Sequence, residues 1–297
     1  MIRTAILAGW PASGKSTAIA TLVRAMFSYV TDERLVVSRD GRGVAGFPKP
    51  ISLIAGSFTL FGDLDPQLTG RGASTGTTWQ IPASALGPVA SQERQTPAVL
   101  VFISYRPDVA LRVAAIDPLT AAAQLLGDSP DVIVRGHDGA QAIVSLASSI
   151  PCIELEYSAA DEMVTAIRGL LERPGPFDPP EPIALRGVAV SDHPAPRSPS
   201  AIDTSRPYAI VDGVSAWIID DHAIAYLHRT GRVVELDAAS AAWLQLLDEF
   251  RSVDDLIGEV AAATETDGAG VRSAARTAMH GLWSAGLIGP ADGRRRG

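Results

Sequence analysis

The sequence predicts an α/β domain followed, beyond a proline-rich stretch, by a smaller α+β domain. Three observations carry this. Residues 1–173 alternate apolar runs with amphipathic helical patterns, as in "TAILAG" followed by "KSTAIATLVRAMFSYV". Residues 174–205 are crowded with proline and hold no sustained period, which reads as an extended, semi-rigid linker. Residues 206–290 then place short strands first and helices after them.

Within the first domain "RLVVSRD", "PAVLVFISY" and "CIELEYS" read as further strands, with the long apolar "PAVLVFISY" at the centre. "PLTAAAQLLGD" and "AADEMVTAIRGLLER" read as helices. In the second domain "SAWIIDDHAIAYLHRTGRVVELD" predicts strands turning at Thr230 and Gly231, and three helical patterns follow it.

Composition excludes several classes. With 46% hydrophobic residues the chain can bury one large core or two smaller ones. A formal charge of -8 argues against a nucleic-acid partner, and the terminal "RRRG" reads as a solvated end. No apolar stretch reaches the ~20 residues needed to span a membrane, so a soluble cytoplasmic protein is expected. Cys152 is the one cysteine, set in an apolar run, and reads as a buried structural thiol.

"LAGWPASGKSTAIATL" contains G-x-x-x-x-G-K-S from Gly9 to Ser16, after a strand pattern and before a helical one. That context is what a phosphate-binding loop requires, since loop and helix N-terminal amides together cradle phosphate oxygens. By chance the pattern arises in about 1 in 100 chains of this length, so the signal is specific. Gly9, Ala12, Ser13, Gly14, Lys15, Ser16 and Thr17 are the nucleotide-binding candidates. Lys15 is expected to reach the β- and γ-phosphates of ATP, and the Ser16 hydroxyl to join the shell of Mg²⁺.

The apolar strand "AVLVFISYRPD" ends in Tyr105 and Arg106, with Asp108 displaced beyond a proline and read as a loop carboxylate. The nearest acidic pair is Asp32 and Glu33 in "YVTDERLVV", directly after the first helix. Two adjacent carboxylates there can divide labour, one accepting a hydroxyl proton and the other holding metal through water, with Asp32 taken as the metal candidate. A solvated turn is the alternative. Lys49, fixed between two prolines, is a candidate to face a transferring phosphoryl group, or else a surface lysine in a rigid turn. Arg106 and Arg135 lie at predicted strand ends, where arginine can brace phosphate. His137 in "RGHDG" is read as a loop histidine with a second reading as an acid/base group.

"GWPASGKST" followed by "YVTDERLVV" resembles the P-loop core of HPr serine kinase, whose fold is related to phosphoenolpyruvate carboxykinase. "GFPKPISL" and "IELEYSAADEMVTAIRGLL" look like segments of HPr-kinase-like proteins from peptide-modification clusters. In that family the helix leaving the loop ends in a pair of aspartates, one of which deprotonates the acceptor serine. Asp32 matches the first member and Glu33 the second, so the resemblance implies catalytic roles for Lys15, Asp32 and Glu33. The glycine-rich signature of the bifunctional kinase/phosphorylase is not evident, so no phosphorylase activity is expected.

The second domain, from "AWIIDDHAIAYLHRTGRVVELD" to "GLWSAGLI", resembles PqqD-type modules, small winged-helix domains that bind the leader of ribosomally made peptide precursors. The resemblance implies that a leader adds a strand to the sheet edge at "RTGRVVEL" and lies along the last helix. Trp217, Trp243 and Trp283 read as core. Together the two resemblances imply a kinase that transfers the γ-phosphoryl of ATP to a serine or threonine of a captured precursor. A non-catalytic, nucleotide-regulated peptide chaperone and a small-molecule kinase are the alternatives, and homo-oligomerisation stays open.

Overall fold

The computed structural model describes residues 3–64, 78–91, 93–173, 177–188, 195, 197–247 and 251–291. It is a mixed α/β fold that divides into two compact units, Met1–Asp117 with Ser145–Pro179, and Pro118–Val144 with Pro180–Gly297. The elements up to residue 149 are β1 (Thr4–Ala8), α1 (Lys15–Arg24), β2 (Leu35–Val37), β3 (Val44–Gly46), β4 (Ile51–Ile54), β5 (Thr78–Ile81), β6 (Pro97–Tyr105), β7 (Arg112–Ile116), α2 (Pro118–Gly127) and α3 (Asp131–Ser149). After them come β8 (Cys152–Tyr157), α4 (Ala160–Glu172), β9 (Ile183–Arg186), β10 (Tyr208–Ile210), β11 (Val214–Ile219), β12 (His222–Leu227), β13 (Arg232–Leu236), α5 (Ala238–Leu246), α6 (Val253–Thr264), α7 (Gly268–Ser284) and β14 (Ile288–Pro290).

The first unit is built on a sheet of order β1-β6-β8-β7, parallel except for β7. β6 lies inside it, as its unbroken apolar run demands, because a strand covered on both faces has no polar side to show. Val99, Val101 and Ile103 of β6 pack with Ala18 and Leu22 of α1 and with Met163 and Ile167 of α4. "RLVVSRD" does contribute a strand, but among the described residues β2 pairs only with β3, in a separate hairpin. A second hairpin, β4 with β5, packs Ile51, Leu53 and Ile81 against Ala20 and Val23 of α1. Cys152 is buried, its thiol donating to the carbonyls of Ala147 and Ile150.

The second unit holds an antiparallel sheet of order β13-β12-β11-β9. Strand alternation sorts its faces. Ala216, Ile218, Ala223 and Ala225 face a core made with Trp243, Leu244, Leu256, Met279 and Leu282 of α5, α6 and α7. Ser215 and Trp217 point the other way, where α3 meets them: Trp217 Nε1 donates to Gln141 Oε1 at 2.7 Å. Trp217 and Trp243 are buried as expected of core side chains, and Trp283 is partly buried against the same cluster as Trp243.

The units do not divide where composition drew the boundary. α2 and residues 131–144 of α3 belong with the C-terminal sheet, although both precede residue 173. An amphipathic helix reveals that one face is buried, never against which sheet. The proline-rich stretch likewise contributes β9, which pairs with β11 through Ile183–Arg186 and closes that edge.

Candidate functional site

The strand-loop-helix expected around the glycine motif is present. β1 ends at Ala8, α1 begins at Lys15, and the intervening turn needs backbone that side chains resist. Gly9 has φ 148°, Ala12 φ 66° and Gly14 φ 92°. A Cβ on Gly9 would lie 2.7 Å from the carbonyl oxygen of Ile103, and one on Gly14 would lie 3.1 Å from Tyr105 Cβ. The chain turns so closely over the sheet that only glycine fits at its two ends. First-turn amides of an α-helix lack intrahelical acceptors, and Gly14 brings no side chain to cap them. No acidic residue occupies that turn, so the positive end of the helix stays open to an anion. This loop fits a polyphosphate such as that of ATP.

The side chains converge on the same end. Lys15 folds over the loop, donating to the carbonyls of Gly9 and, at 2.8 Å, Trp10. Ser13 keeps the turn tight through its amide, which donates to the Trp10 carbonyl at 3.1 Å, and its hydroxyl is buried with no hydrogen-bond partner. Thr17 pairs with the Ser57 hydroxyl at 2.6 Å. The Ser16 hydroxyl donates to Asp32 Oδ2 at 3.3 Å, so the acid that follows α1 in sequence returns to the mouth of the loop. The Ser52 amide also donates to that oxygen, at 3.4 Å, while Asp32 Oδ1 is buried without a partner. Burial pushes the Asp32 carboxyl above its ordinary range, and the charge of Glu33 adds to this; Ser16, Ser52 and Lys49 pull the other way.

The acidic pair has divided roles. Glu33 is ion-paired with Lys49, with side chains 65% and 29% exposed, so its charge is matched on the open side of the site. Asp32 is the member that touches the loop. A hydroxyl and a carboxylate side by side are the hard donors that Mg²⁺ accepts alongside substrate phosphates, so Ser16 and Asp32 fit that ion. Among the described residues, no three His, Cys, Asp or Glu side chains form a metal cage.

The remaining candidates are placed less centrally. Lys49 is committed to Glu33. Arg106 directly follows β6, its exposed guanidinium Nε 3.4 Å from Oε1 of the half-buried Glu156. Arg135 lies on α3 in the second unit rather than at a strand end. His137 is helical rather than in a loop, directly after a break at Gly136 (φ 58°, ψ -139°), and bonds the Ser215 hydroxyl at 2.7 Å. Ser215 also meets His228 Nε2 at 2.9 Å, so both histidines serve the packing of α3 on the sheet. Asp108 occupies a positive-φ turn, as a loop carboxylate can.

Sequence reasoning missed Ser52, Ser57, Tyr105 and Tyr157. Tyr157 places its hydroxyl 3.3 Å from where a Gly14 Cβ would be, and its ring meets Tyr105 edge-on at 5.7 Å. Burial pushes the Tyr157 hydroxyl up to about 12, so it stays a hydrogen-bond donor. Both tyrosines end neighbouring parallel strands, where open α/β sheets place ligands, and that rule was the available signal.

In the second unit β9 closes one edge of the sheet and β13 forms the other, with β12 as its ladder partner. Residues 222–288, from β12 to the start of β14, match the family model for coenzyme PQQ synthesis protein D (PqqD). The chain thus carries a PqqD-like C-terminal domain. A solved structure described as TbiB1 in complex with the TbiA(beta) leader peptide is similar to 30% of this chain and 99% of that one, at 24% identity and a TM-score of 0.26. No curated protein matches the chain. No described helix is long and apolar enough to cross a membrane.

Proposed function

We propose that this chain is an ATP-dependent phosphotransferase that phosphorylates a serine or threonine hydroxyl of a ribosomally made precursor peptide held by its PqqD-like domain. The observation that carries the reading is the return of Asp32 to the Ser16 hydroxyl at the open N-terminus of α1. A phosphotransferase needs a proton acceptor beside the transferring group, and in this reading Asp32, buried with one oxygen unpartnered, is that acceptor.

In this reading the loop amides and Lys15 hold the phosphates, and the Lys15 carbonyl contacts give way to phosphate oxygens. Ser16 and Asp32 would hold Mg²⁺, which when bound would neutralise charge on the phosphates. The acceptor hydroxyl gives its proton to Asp32 Oδ1 as its oxygen bonds the γ-phosphorus. The bond from that phosphorus to the β–γ bridging oxygen breaks, and ADP leaves. Burial, by raising the carboxyl's proton affinity, makes Asp32 a better base than a solvated aspartate. Glu33 with Lys49 borders the acceptor side of the site.

The PqqD family match supports peptide capture by the second domain, and the resemblance of "RTGRVVELD" to such modules points to the edge strand β13. Capture and transfer on one chain raise the local concentration of acceptor, so the first unit needs little peptide affinity of its own. The test is incubation with γ-labelled ATP, Mg²⁺ and a short precursor encoded in the neighbouring genes. Label on a peptide serine or threonine, lost in Lys15→Ala and Asp32→Asn, is expected; ATP binding with no transfer overturns the kinase.

A further inference from the structure

We infer that the first unit carries a side-chain subsite beside the acidic pair, which takes one apolar side chain of the acceptor peptide next to the phosphorylated residue. This rests on the phosphotransferase reading above. The site is an open cavity of about 230 Å³, and Tyr29, Pro48, Lys49, Pro50, Pro82 and Val89 line most of it.

Its size selects the occupant. Sites for whole small molecules run to ~300–1,000 Å³, so this one is too small for a nucleotide but suits one leucine-sized or aromatic side chain. Its chemistry agrees. Proline rings, a tyrosine ring and a valine form the walls, and the charge of Lys49 is already matched by Glu33. The walls are preformed: three prolines restrict the backbone, and the Tyr29 hydroxyl donates to the Lys49 carbonyl at 2.8 Å. Tyr29 is further tied down by its amide, which donates to the Pro88 carbonyl, and by its carbonyl, which accepts from the Ala90 amide. A rigid apolar pocket loses little entropy on filling.

Its place agrees as well. Lys49 is at once a wall of the cavity and the partner of Glu33. Burial pushes the Tyr29 hydroxyl up to about 12, and the charges of Asp32 and Glu33 add to this. A peptide with its hydroxyl at Asp32 therefore presents a neighbouring side chain to this cavity. The one acceptor residue that fills the cavity is then apolar, not acidic or basic.

The test uses the full chain and precursor peptides that keep their leader, with a core of one serine flanked by glycines and a single leucine moved through each flanking position. One leucine position is expected to raise kcat/KM about tenfold over the all-glycine peptide. An aspartate there gives no gain, and Val89→Trp, at an exposed wall position, returns the leucine peptide to the glycine value. The same peptides are titrated against the methyl signals of Val89, which shift with the leucine peptide only. Transfer with no preference among leucine, glycine and aspartate overturns the subsite and leaves the phosphotransferase standing. Leucine-dependent shifts at Val89 without transfer to any peptide leave the subsite and overturn the phosphotransferase. Neither transfer nor shifts overturns both.

Discussion

Replacing Gly9 by alanine puts a methyl group where the loop passes over the sheet. The new Cβ would stand 2.7 Å from the Ile103 carbonyl oxygen and 2.8 Å from Ser13 Oγ, and φ is 148°. The carbonyl belongs to the central strand β6, so the loop is what must move. Holding a non-glycine residue in that backbone region costs ~1–3 kcal/mol, before the clash is relieved. Taking about 2 kcal/mol, the thermal midpoint falls by about 4–8 °C for a unit of this size. Relieving the clash also displaces the loop amides that hold the phosphates in this reading, so affinity for ATP is expected to drop at least about tenfold. The assay pairs thermal unfolding with calorimetric ATP titration, done well below the midpoint where circular dichroism shows the variant folded. Gly56→Ala is the control, because a Cβ there meets nothing within 4 Å and φ is not positive. A Gly9→Ala protein that binds ATP like the control, with a midpoint within a degree of it, would refute the reasoning about the loop.

Asp32→Asn separates stability from chemistry. The folded-state pKa of Asp32 is raised by burial, so its contribution to stability is present below the unfolded value and is lost as pH rises through the folded one. Removing the charge should therefore keep or raise the thermal midpoint at pH 7–8, while phosphoryl transfer falls by at least about a hundredfold; a lower midpoint with transfer intact contradicts this. The Cys152 thiol, pushed up to about 12 by burial, should resist iodoacetamide at pH 8 in the native protein and react fully in urea, read by intact mass. Ser215→Ala removes a buried hydroxyl bonded to both His137 and His228, and should cost the second unit about 1–3 kcal/mol in urea unfolding followed by tryptophan fluorescence. A change below about 0.3 kcal/mol would mean that the hydroxyl pairs contribute nothing net.

The strand-loop-helix turn around the glycine motif was legible in the sequence because its backbone requirements are local. Two glycines, a lysine and a serine at fixed spacing require one backbone path, and that path appears with Gly9 and Gly14 at positive φ. The central place of β6 was legible for a similar reason, since nine residues with no polar alternation leave no face for water. What could not be read were choices between distant partners. Nothing in "TDER" says that Glu33 pairs with Lys49 while Asp32 turns to Ser16; the hairpin that brings Lys49 and Ser52 back makes that assignment. Gly136 and Gly139 made "RGHDG" look like a loop, yet the helix resumes beyond one break. β9 escaped notice because proline density masked four residues whose pairing depends on β11. The edge position of β13, by contrast, agrees with the sheet edge that the PqqD resemblance implied at "RTGRVVEL".

The most direct test of the central claim is tandem mass spectrometry of a candidate precursor peptide after incubation with the full chain, ATP and Mg²⁺. One phosphoryl group on a serine or threonine is expected, absent with Lys15→Ala and reduced at least about a hundredfold with Asp32→Asn. A peptide that binds the chain yet gains no phosphate, or one phosphorylated equally well by Asp32→Asn, contradicts it.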